Sequence, residues 1–171
     1  MKSSEMTPSE YNAFYKKYVD LVEDSSLNEA LAQGMEYIQS FFKAIPEEKL
    51  DYRYAEGKWT PKDILQHIMD TERVFAYRAL YFARSDKANL MGFDENTFAV
   101  NAQASNRTLT ILLGDYMVVR SATISLFKSF NKNQLKRVGM ANASEMSVRA
   151  TGFVVCGHEI HHCNIIKERY L

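Results

Sequence analysis

Four long segments of the chain carry apolar residues at helical spacing, and glycine and proline scarcely interrupt them. In residues 27–45, for example, Leu31, Met35, Ile38 and Phe42 follow one another at steps of three or four, as on one face of an α-helix. Seven glycines and three prolines are too few for the many turns of a β protein of 171 residues. The sequence therefore predicts an all-α fold, most simply a four-helix bundle.

The helix boundaries can be predicted from capping residues and from breaks in the pattern. The four long helices are expected over residues 27–45, 61–84 and 105–130, and from Ser144 or Ser147 to the carboxyl terminus. A short extra helix over residues 9–22 is expected before them. The clearest start is at Thr60 and Pro61, because threonine caps a helix and proline suits its first position.

Two connections between the predicted helices stand out. Residues 85–104 form a long link between the second and third long helices, and it is rich in Asn, Asp and Gly. Long links of this kind form crossovers or lids over one end of a bundle. Residues 131–143 form a polar link with no clear pattern. Because the chain shows no internal repeat and no second domain, a single domain over residues 1–171 is expected.

Charge, apolar runs and cysteines restrict the partners and the compartment. Lys and Arg number 21, as do Asp and Glu, so the formal net charge is zero, whereas a chain that neutralises nucleic-acid phosphates would be basic. No apolar run approaches the ~20 residues of a membrane span, and no signal-peptide pattern is expected. Cys156 and Cys163 lie about 10 Å apart along one predicted helix, too far for a disulfide. We expect a reduced, cytoplasmic domain with no nucleic-acid or membrane partner.

Three of the four histidines fall within five positions near the carboxyl terminus. His158 and His162 are about 40° apart around the predicted helix and one turn apart along it, in the middle of its apolar stripe. His161 lies at the edge of that stripe, about 60° to the other side. The fourth histidine, His67, also faces inward, on the helix that begins at Pro61. Imidazoles at i and i+4 can bind one metal ion, and a bundle can place His67 opposite them.

The inward imidazoles allow two interpretations. In the first, they are core histidines whose ring nitrogens form hydrogen bonds with their neighbours. In the second, they bind a metal ion, which satisfies several nitrogens at once, whereas each unpaired nitrogen would cost about 1–3 kcal/mol. We favour the metal site. Three protein ligands leave coordination positions for water or substrate, as in catalytic rather than structural sites.

Three further residues are candidates for catalysis around the histidines. Asp70, three residues after His67, either accepts the second ring N–H of a ligand histidine or is a solvated acid at the helix edge. Arg78 lies on the same face as His67, three turns along the helix. His161, if it is not a ligand, can shuttle a proton or only hold the ligands in place. We therefore assign Asp70, Arg78 and His161 as candidate catalytic residues.

An inward arginine and an aromatic pair complete the predicted surroundings. Arg120 faces inward on the third long helix, so its charge must be paired. Its partner is either a substrate carboxylate or one of three acids: Glu159, Asp70 or Asp94. Tyr81 and Phe82 are expected to line an apolar pocket beside the metal.

Two segments resemble the DinB/YfiT-like superfamily: residues 59–73 (WTPKDILQHIMDTER) and residues 157–162 (GHEIHH). The resemblance runs from the first long helix to the end of the chain. It implies a four-helix bundle that holds a divalent metal ion on three histidines, one early in the second helix and an H-x3-H pair in the last. These ligands correspond here to His67, His158 and His162. His158 with His161 is also a workable helical pair, which is a departure from the family pattern.

The resemblance also implies a chemistry. Members with assigned activities include thiol S-transferases that use low-molecular-weight thiols such as bacillithiol or mycothiol, and metal-dependent hydrolases. A divalent ion on three neutral imidazoles lowers the pKa of a bound thiol or water, which suits both activities. Zinc or nickel is the expected metal, with manganese and iron as alternatives.

The sequence as a whole therefore predicts a metal-dependent transferase or hydrolase with a small-molecule substrate, and a low-molecular-weight thiol is the candidate partner. The alternative is a non-catalytic helical bundle that binds a small ligand or a metal. A homodimer is expected, because the amino-terminal helix and exposed aromatic faces can form its interface.

Overall fold

The computed structural model describes residues 1–171 as seven α-helices and three short strands. In chain order these are α1 (Lys16–Val19), α2 (Leu27–Lys43), α3 (Pro61–Arg84), β1 (Asn89–Leu90), α4 (Glu95–Ala102), α5 (Leu109–Lys128), α6 (Lys132–Leu135), β2 (Val138–Ala141), β3 (Ser144–Ser147) and α7 (Val148–Arg169).

The four long helices, α2, α3, α5 and α7, pack as a bundle. α3 lies against α5 and α7, and α2 lies against the same two helices. Each long helix begins after a side chain that accepts a hydrogen bond from a backbone N–H in the first turn, and these caps are Ser26, Thr60, Thr108 and Ser147. The predicted all-α four-helix bundle is confirmed, and α2 and α3 begin at the predicted residues.

The core consists of two apolar clusters that follow one another along the bundle. One cluster contains Leu31 and Phe153, and the other contains Phe42 and Ile166. Between the clusters, each long helix contributes a small or polar residue: Gly34 on α2, Glu72 on α3, Arg120 on α5 and Glu159 on α7. We call Glu72, Arg120 and Glu159 the polar layer.

The polar layer is an ion-paired network closed to solvent. The Arg120 guanidinium donates to Glu72 through Nε and Nη2, both at 2.9 Å, and to Glu159 through Nη1 at 3.0 Å and Nη2 at 2.6 Å. Nη1 also donates to the backbone carbonyl of Leu31, and the Tyr116 hydroxyl donates to Glu159. Of the acids considered from the sequence, Glu159 is therefore a partner of Arg120, and Asp70 and Asp94 are not. Carboxylates accept hydrogen bonds from all three guanidinium nitrogens, so Arg120 is a structural residue and not a substrate anchor.

The amino-terminal segment differs from the helix expected over residues 9–22. α1 has only four residues, and single 3-10 turns precede it. Two local interactions compete with a longer helix. The Asn12 side chain accepts a hydrogen bond from the Phe14 N–H, and Tyr11 pairs with Met146 in an isolated β-bridge. A short extra helix is present, but it covers only residues 16–19 of the predicted 9–22.

The connections contain more regular structure than their sequences indicate. In the link after α3, Asp94 caps α4 by accepting hydrogen bonds from the N–H groups of Asn96 and Thr97. β1 pairs in parallel with β2, and β2 pairs antiparallel with β3, which gives a small sheet in the order β1-β2-β3. The sheet was not predicted, because strands of two to four residues are too short to show an alternating pattern.

α5 is long and apolar enough to cross a membrane if only length and composition are considered. The sequence analysis found no apolar run of that length, because the charged residues Asp115 and Arg120 interrupt the apolar residues of this helix. In the fold, α5 packs against α2 and α3 and buries Arg120 between two carboxylates. A helix of a folded bundle can therefore pass the same test of length and composition.

Two glycines provide a matched test of the packing between the amino-terminal segment and α7. A Cβ atom at Gly157 would lie 1.9 Å from the backbone carbonyl oxygen of Tyr18, whereas one at Gly114 on α5 would meet nothing within 4 Å. We expect Gly157→Ala to lower the free energy of unfolding by about 1–3 kcal/mol, because backbone must move. Gly114→Ala should raise it by about 0.5–1 kcal/mol, because alanine favours the helix. Urea denaturation measures both, and equal effects would contradict this packing.

Candidate metal centre

Three imidazoles from two helices meet at one point of the bundle. His67 lies on α3, six residues after the helix begins, and His158 and His162 lie one turn apart on α7. The Nε2 atom of His158 lies 3.0 Å from that of His67 and 3.0 Å from that of His162. The three ligand atoms all lie within 4.8 Å of one another. The structure therefore brings together the three histidines that the sequence nominated as metal ligands.

The two 3.0 Å separations from the Nε2 atom of His158 fit ligands of one divalent transition-metal ion. A metal–nitrogen distance of about 2.1 Å places neighbouring ligand nitrogens about 3.0–3.4 Å apart at angles of about 90–110°. Hydrogen bonds alone explain these distances less well. The Nε2 atom of His158 carries either one proton or one lone pair, so it cannot form a hydrogen bond with both His67 and His162. In addition, the buried Nδ1 of His162 has no hydrogen-bond partner. A metal ion would accept all three Nε2 lone pairs at once.

The surroundings keep the three imidazoles in the neutral form that binds metals. Burial lowers the pKa of His67 to about 4, although Glu95 and Asp70 partly offset the effect. Burial also lowers the pKa values of His158 and His162 well below the usual range, and the neighbouring imidazoles add to the shift. All three are therefore neutral near pH 7, so a metal ion does not have to displace protons from them.

Aromatic side chains hold the rings in place. The Trp59 ring, just before the Thr60 cap, lies 4.6 Å from the His67 ring between centroids. The Tyr18 ring of α1 lies 5.4 Å from that of His158 and 5.3 Å from that of His161. Tyr18 and Trp59 were not identified from the sequence. Trp59 lies within the segment that resembles the family, which is the only local signal for it.

A cavity of about 340 Å³ opens beside the three histidines, within the size range of small-molecule sites. Its aromatic lining comprises Phe14, Tyr15, Tyr18, Trp59, Phe75 and Phe93. The expectation that Tyr81 and Phe82 line the pocket is wrong. Phe82 is in the core, where its ring lies over Gly139 of β2, and Tyr81 is on the surface.

The three candidate catalytic residues lie in different places. His161 lines the cavity, and its ring centroid is 5.2 Å from that of His162, but it is not part of the three-nitrogen cluster. Arg78 also lines the cavity and is buried. The Asp70 carboxylate instead accepts hydrogen bonds from Gln66 at 3.0 Å and Arg73 at 2.9 Å, and from no histidine. A catalytic role for Asp70 remains a prediction that this geometry does not support.

The two cysteines lie apart from the cavity. Both are buried, and burial raises the pKa of each thiol above its usual range. Cys156 belongs to the apolar cluster around Leu31, and Cys163 belongs to the other cluster. Neither thiol is therefore available as a nucleophile near neutral pH.

The family model of the DinB superfamily matches residues 30–166, which include most of each long helix and all four histidines. The chain belongs to the DinB superfamily. No curated protein gives a significant match to this DinB-superfamily chain. Among solved structures, it is similar to YfiT from Bacillus subtilis, with a TM-score of 0.75 and 15% sequence identity over 83% of this chain and 82% of that one. YfiT is described as "a probable metal-dependent hydrolase with an unusual four-helix bundle topology". At this identity the likeness establishes the shared bundle fold.

Proposed function

We propose that this DinB-superfamily chain is a metal-dependent enzyme acting on a small molecule. In this proposal His67, His158 and His162 hold one divalent ion, zinc or nickel first, with manganese or iron as alternatives. The observation that carries the proposal is the convergence of three neutral Nε2 atoms at the wall of a cavity. The ion, when bound, lowers the pKa of a coordinated water or thiol and so supplies a nucleophile near neutral pH.

The protein's own groups supply positioning and proton transfer. Trp59 and Tyr18 pack against the ligand rings and restrict their orientations. His161 is half-buried on the cavity wall, where burial lowers its pKa. Its imidazole is therefore neutral near pH 7 and can accept a proton from the nucleophile.

Two reaction types fit this arrangement and differ in the nucleophile. The description of YfiT as a metal-dependent hydrolase supports water. The thiol S-transferases among DinB-like proteins support a low-molecular-weight thiol. The cavity of about 340 Å³ accommodates a small substrate in either case.

The metal content of the untagged protein tests the site directly. We expect about one equivalent of transition metal by mass spectrometry after incubation with zinc, nickel, manganese and iron in turn. His67→Ala, His158→Ala and His162→Ala should each lose it, because two imidazoles bind far more weakly than three. His161→Ala is the matched control and should retain the metal.

Each outcome of that measurement bears on the proposal. If no metal binds to the parent protein, the enzyme proposal fails and a histidine-lined ligand pocket remains. If His161→Ala loses the metal while His162→Ala keeps it, the ligand set is His67, His158 and His161 instead.

Activity assays then separate the two nucleophiles. The metal-loaded protein is assayed with chromogenic esters and lactones without thiol, and with electrophilic acceptors plus bacillithiol, mycothiol or glutathione. Turnover without thiol indicates hydrolysis, and turnover that requires a thiol indicates S-transfer. Acceleration that survives in His67→Ala and His158→Ala would overturn both versions.

A further inference from the structure

Arg78 is a buried cation without an acidic partner. It is only 5% exposed, yet no carboxylate lies within ion-pair distance of it. The other two buried arginines, Arg120 and Arg149, are each paired with glutamates. Arg78 donates a long hydrogen bond from Nη2 to the backbone carbonyl of Met91 at 3.5 Å and interacts with the neutral Tyr15 hydroxyl, while its Nε is buried with no partner. A buried charge of this kind is costly unless an anion pairs with it.

A second unpartnered polar group lines the same cavity as this cation. The Thr71 hydroxyl is buried and forms no hydrogen bond, and the residue is 4% exposed. Thr71 and Arg78 are seven residues apart on α3, which places them two turns apart on one face. His67 lies on the same face, one turn before Thr71. All three residues line the same cavity.

The charges of the cavity wall favour an anion near Arg78. The only carboxylate on the wall is that of Glu95, which is exposed to solvent. The Arg78 Cζ lies 4.8 Å from the centre of the Phe75 ring. Its charge thus acts in apolar surroundings, where electrostatic attraction is stronger than in water.

We propose that the cavity binds its substrate through an oxyanion, a carboxylate or a phosphate, that accepts hydrogen bonds from Arg78 and Thr71. The fork of guanidinium donors matches either group. The reacting part of the substrate then lies toward the three histidines. This inference rests on the proposed function only in taking the cavity as the substrate site, and it adds the chemical class of the substrate.

The helix also sets the distance between the two ends of such a substrate. The Arg78 side chain turns back over Phe75, which lies eight residues beyond His67, or about 12 Å of helical rise. An anion that also accepts from Thr71, four residues beyond His67, lies about 6–12 Å from His67 along the helix axis. Acids as short as acetate cannot reach both ends.

Binding of benzoate to the metal-free protein tests the anion site without any contribution from a metal. Calorimetry on EDTA-treated protein compares benzoate with benzamide, which has the same shape and no charge, and phenyl phosphate distinguishes a phosphate site from a carboxylate site. We expect one of the two anions to bind at least tenfold more tightly than benzamide, because hydrogen bonds to a charged group contribute about 1.5–3 kcal/mol, or about 10–100-fold.

Three variants assign the preference to residues. Arg78→Met should abolish the preference for the anion, and Thr71→Val, which has nearly the same shape, should weaken anion binding about tenfold. Arg84→Met, on the exposed face of the same helix, is the matched control and should change nothing. Equal binding of benzoate, phenyl phosphate and benzamide, or a preference that survives in Arg78→Met, would overturn the proposal.

Thermal unfolding provides a second readout. If Arg78 were merely structural, its replacement would lower the Tm. Without ligand, Arg78→Met should melt at the same temperature as the parent protein or higher, because it removes an unpaired buried charge. A clear decrease in Tm would show that Arg78 is held for packing on Phe75, and would contradict the proposal. Metal content and anion binding are measured separately, so either proposal can fail alone.

Discussion

Replacement of Arg120 by methionine is expected to lower the free energy of unfolding by about 3–5 kcal/mol. The guanidinium is completely buried and forms four hydrogen bonds with Glu72 and Glu159. Methionine fills much of the same volume, but it leaves two carboxylates buried together without a cation, and that is the costly change. Burial already raises the pKa of Glu159 despite the opposing effect of Arg120. The expected decrease in Tm is roughly 10 °C for a chain of this length.

Two further variants identify the cause of that loss. Adding Glu72→Gln and Glu159→Gln to Arg120→Met should restore part of the stability, because no unpaired charge then remains in the core. Arg169→Met removes an exposed ion pair with Glu168 and should change the stability by less than about 1 kcal/mol. A loss in Arg120→Met no larger than that in Arg169→Met would show that the polar layer contributes little.

The metal-free protein is expected to lose stability steeply as the pH falls from about 6.5 to 4. The folded state lowers the pKa of His67 to about 4, whereas the unfolded chain takes up the proton near pH 6.5. Between these values the unfolded state binds more protons, so the free energy of unfolding decreases as the pH decreases. His67 alone accounts for about 3 kcal/mol over this interval. His158 and His162 act in the same direction, because burial lowers their pKa values as well.

Urea denaturation in EDTA at a series of pH values measures this dependence. His67→Gln should reduce the slope of the free energy of unfolding against pH by about 1.4 kcal/mol per pH unit between pH 4 and 6.5. His161→Gln replaces a half-buried imidazole outside the cluster and should flatten it less. The difference between each variant and the parent isolates one histidine, since the carboxylates titrate in all of them. Identical profiles for His67→Gln and the parent would contradict the burial of a neutral imidazole.

Local sequence patterns predicted the long helices well, because helix formation depends on spacing and capping that lie within one segment. Thr60 and Pro61 mark the start of α3 in the sequence and in the structure alike. The segment over residues 9–22 shows where this fails. Its apolar spacing suits a helix, but the pairing of Tyr11 with Met146 is a contact across 135 positions that no local pattern reveals.

The candidate site also has a part that local patterns predict and a part that they do not. The inward direction of His67, His158 and His162 follows from the helical period, so the sequence could nominate them together. The cavity wall could not be predicted, because it combines the amino-terminal segment, α3, α7 and the link after α3. Glu72, the second carboxylate that pairs with Arg120, was missed for the same reason. Tyr81 and Phe82 were assigned to the cavity, but one lies on the surface and the other in the core.

The polar layer also fixes the alignment of the helices along the bundle axis. Apolar side chains alone allow a helix to slide by a turn, because one leucine replaces another at little cost. A slide of α5 by one turn, about 5.4 Å, would instead move Arg120 away from both carboxylates and leave three charges in the apolar clusters. The bundle therefore has a single register, and that register sets His67 opposite His158.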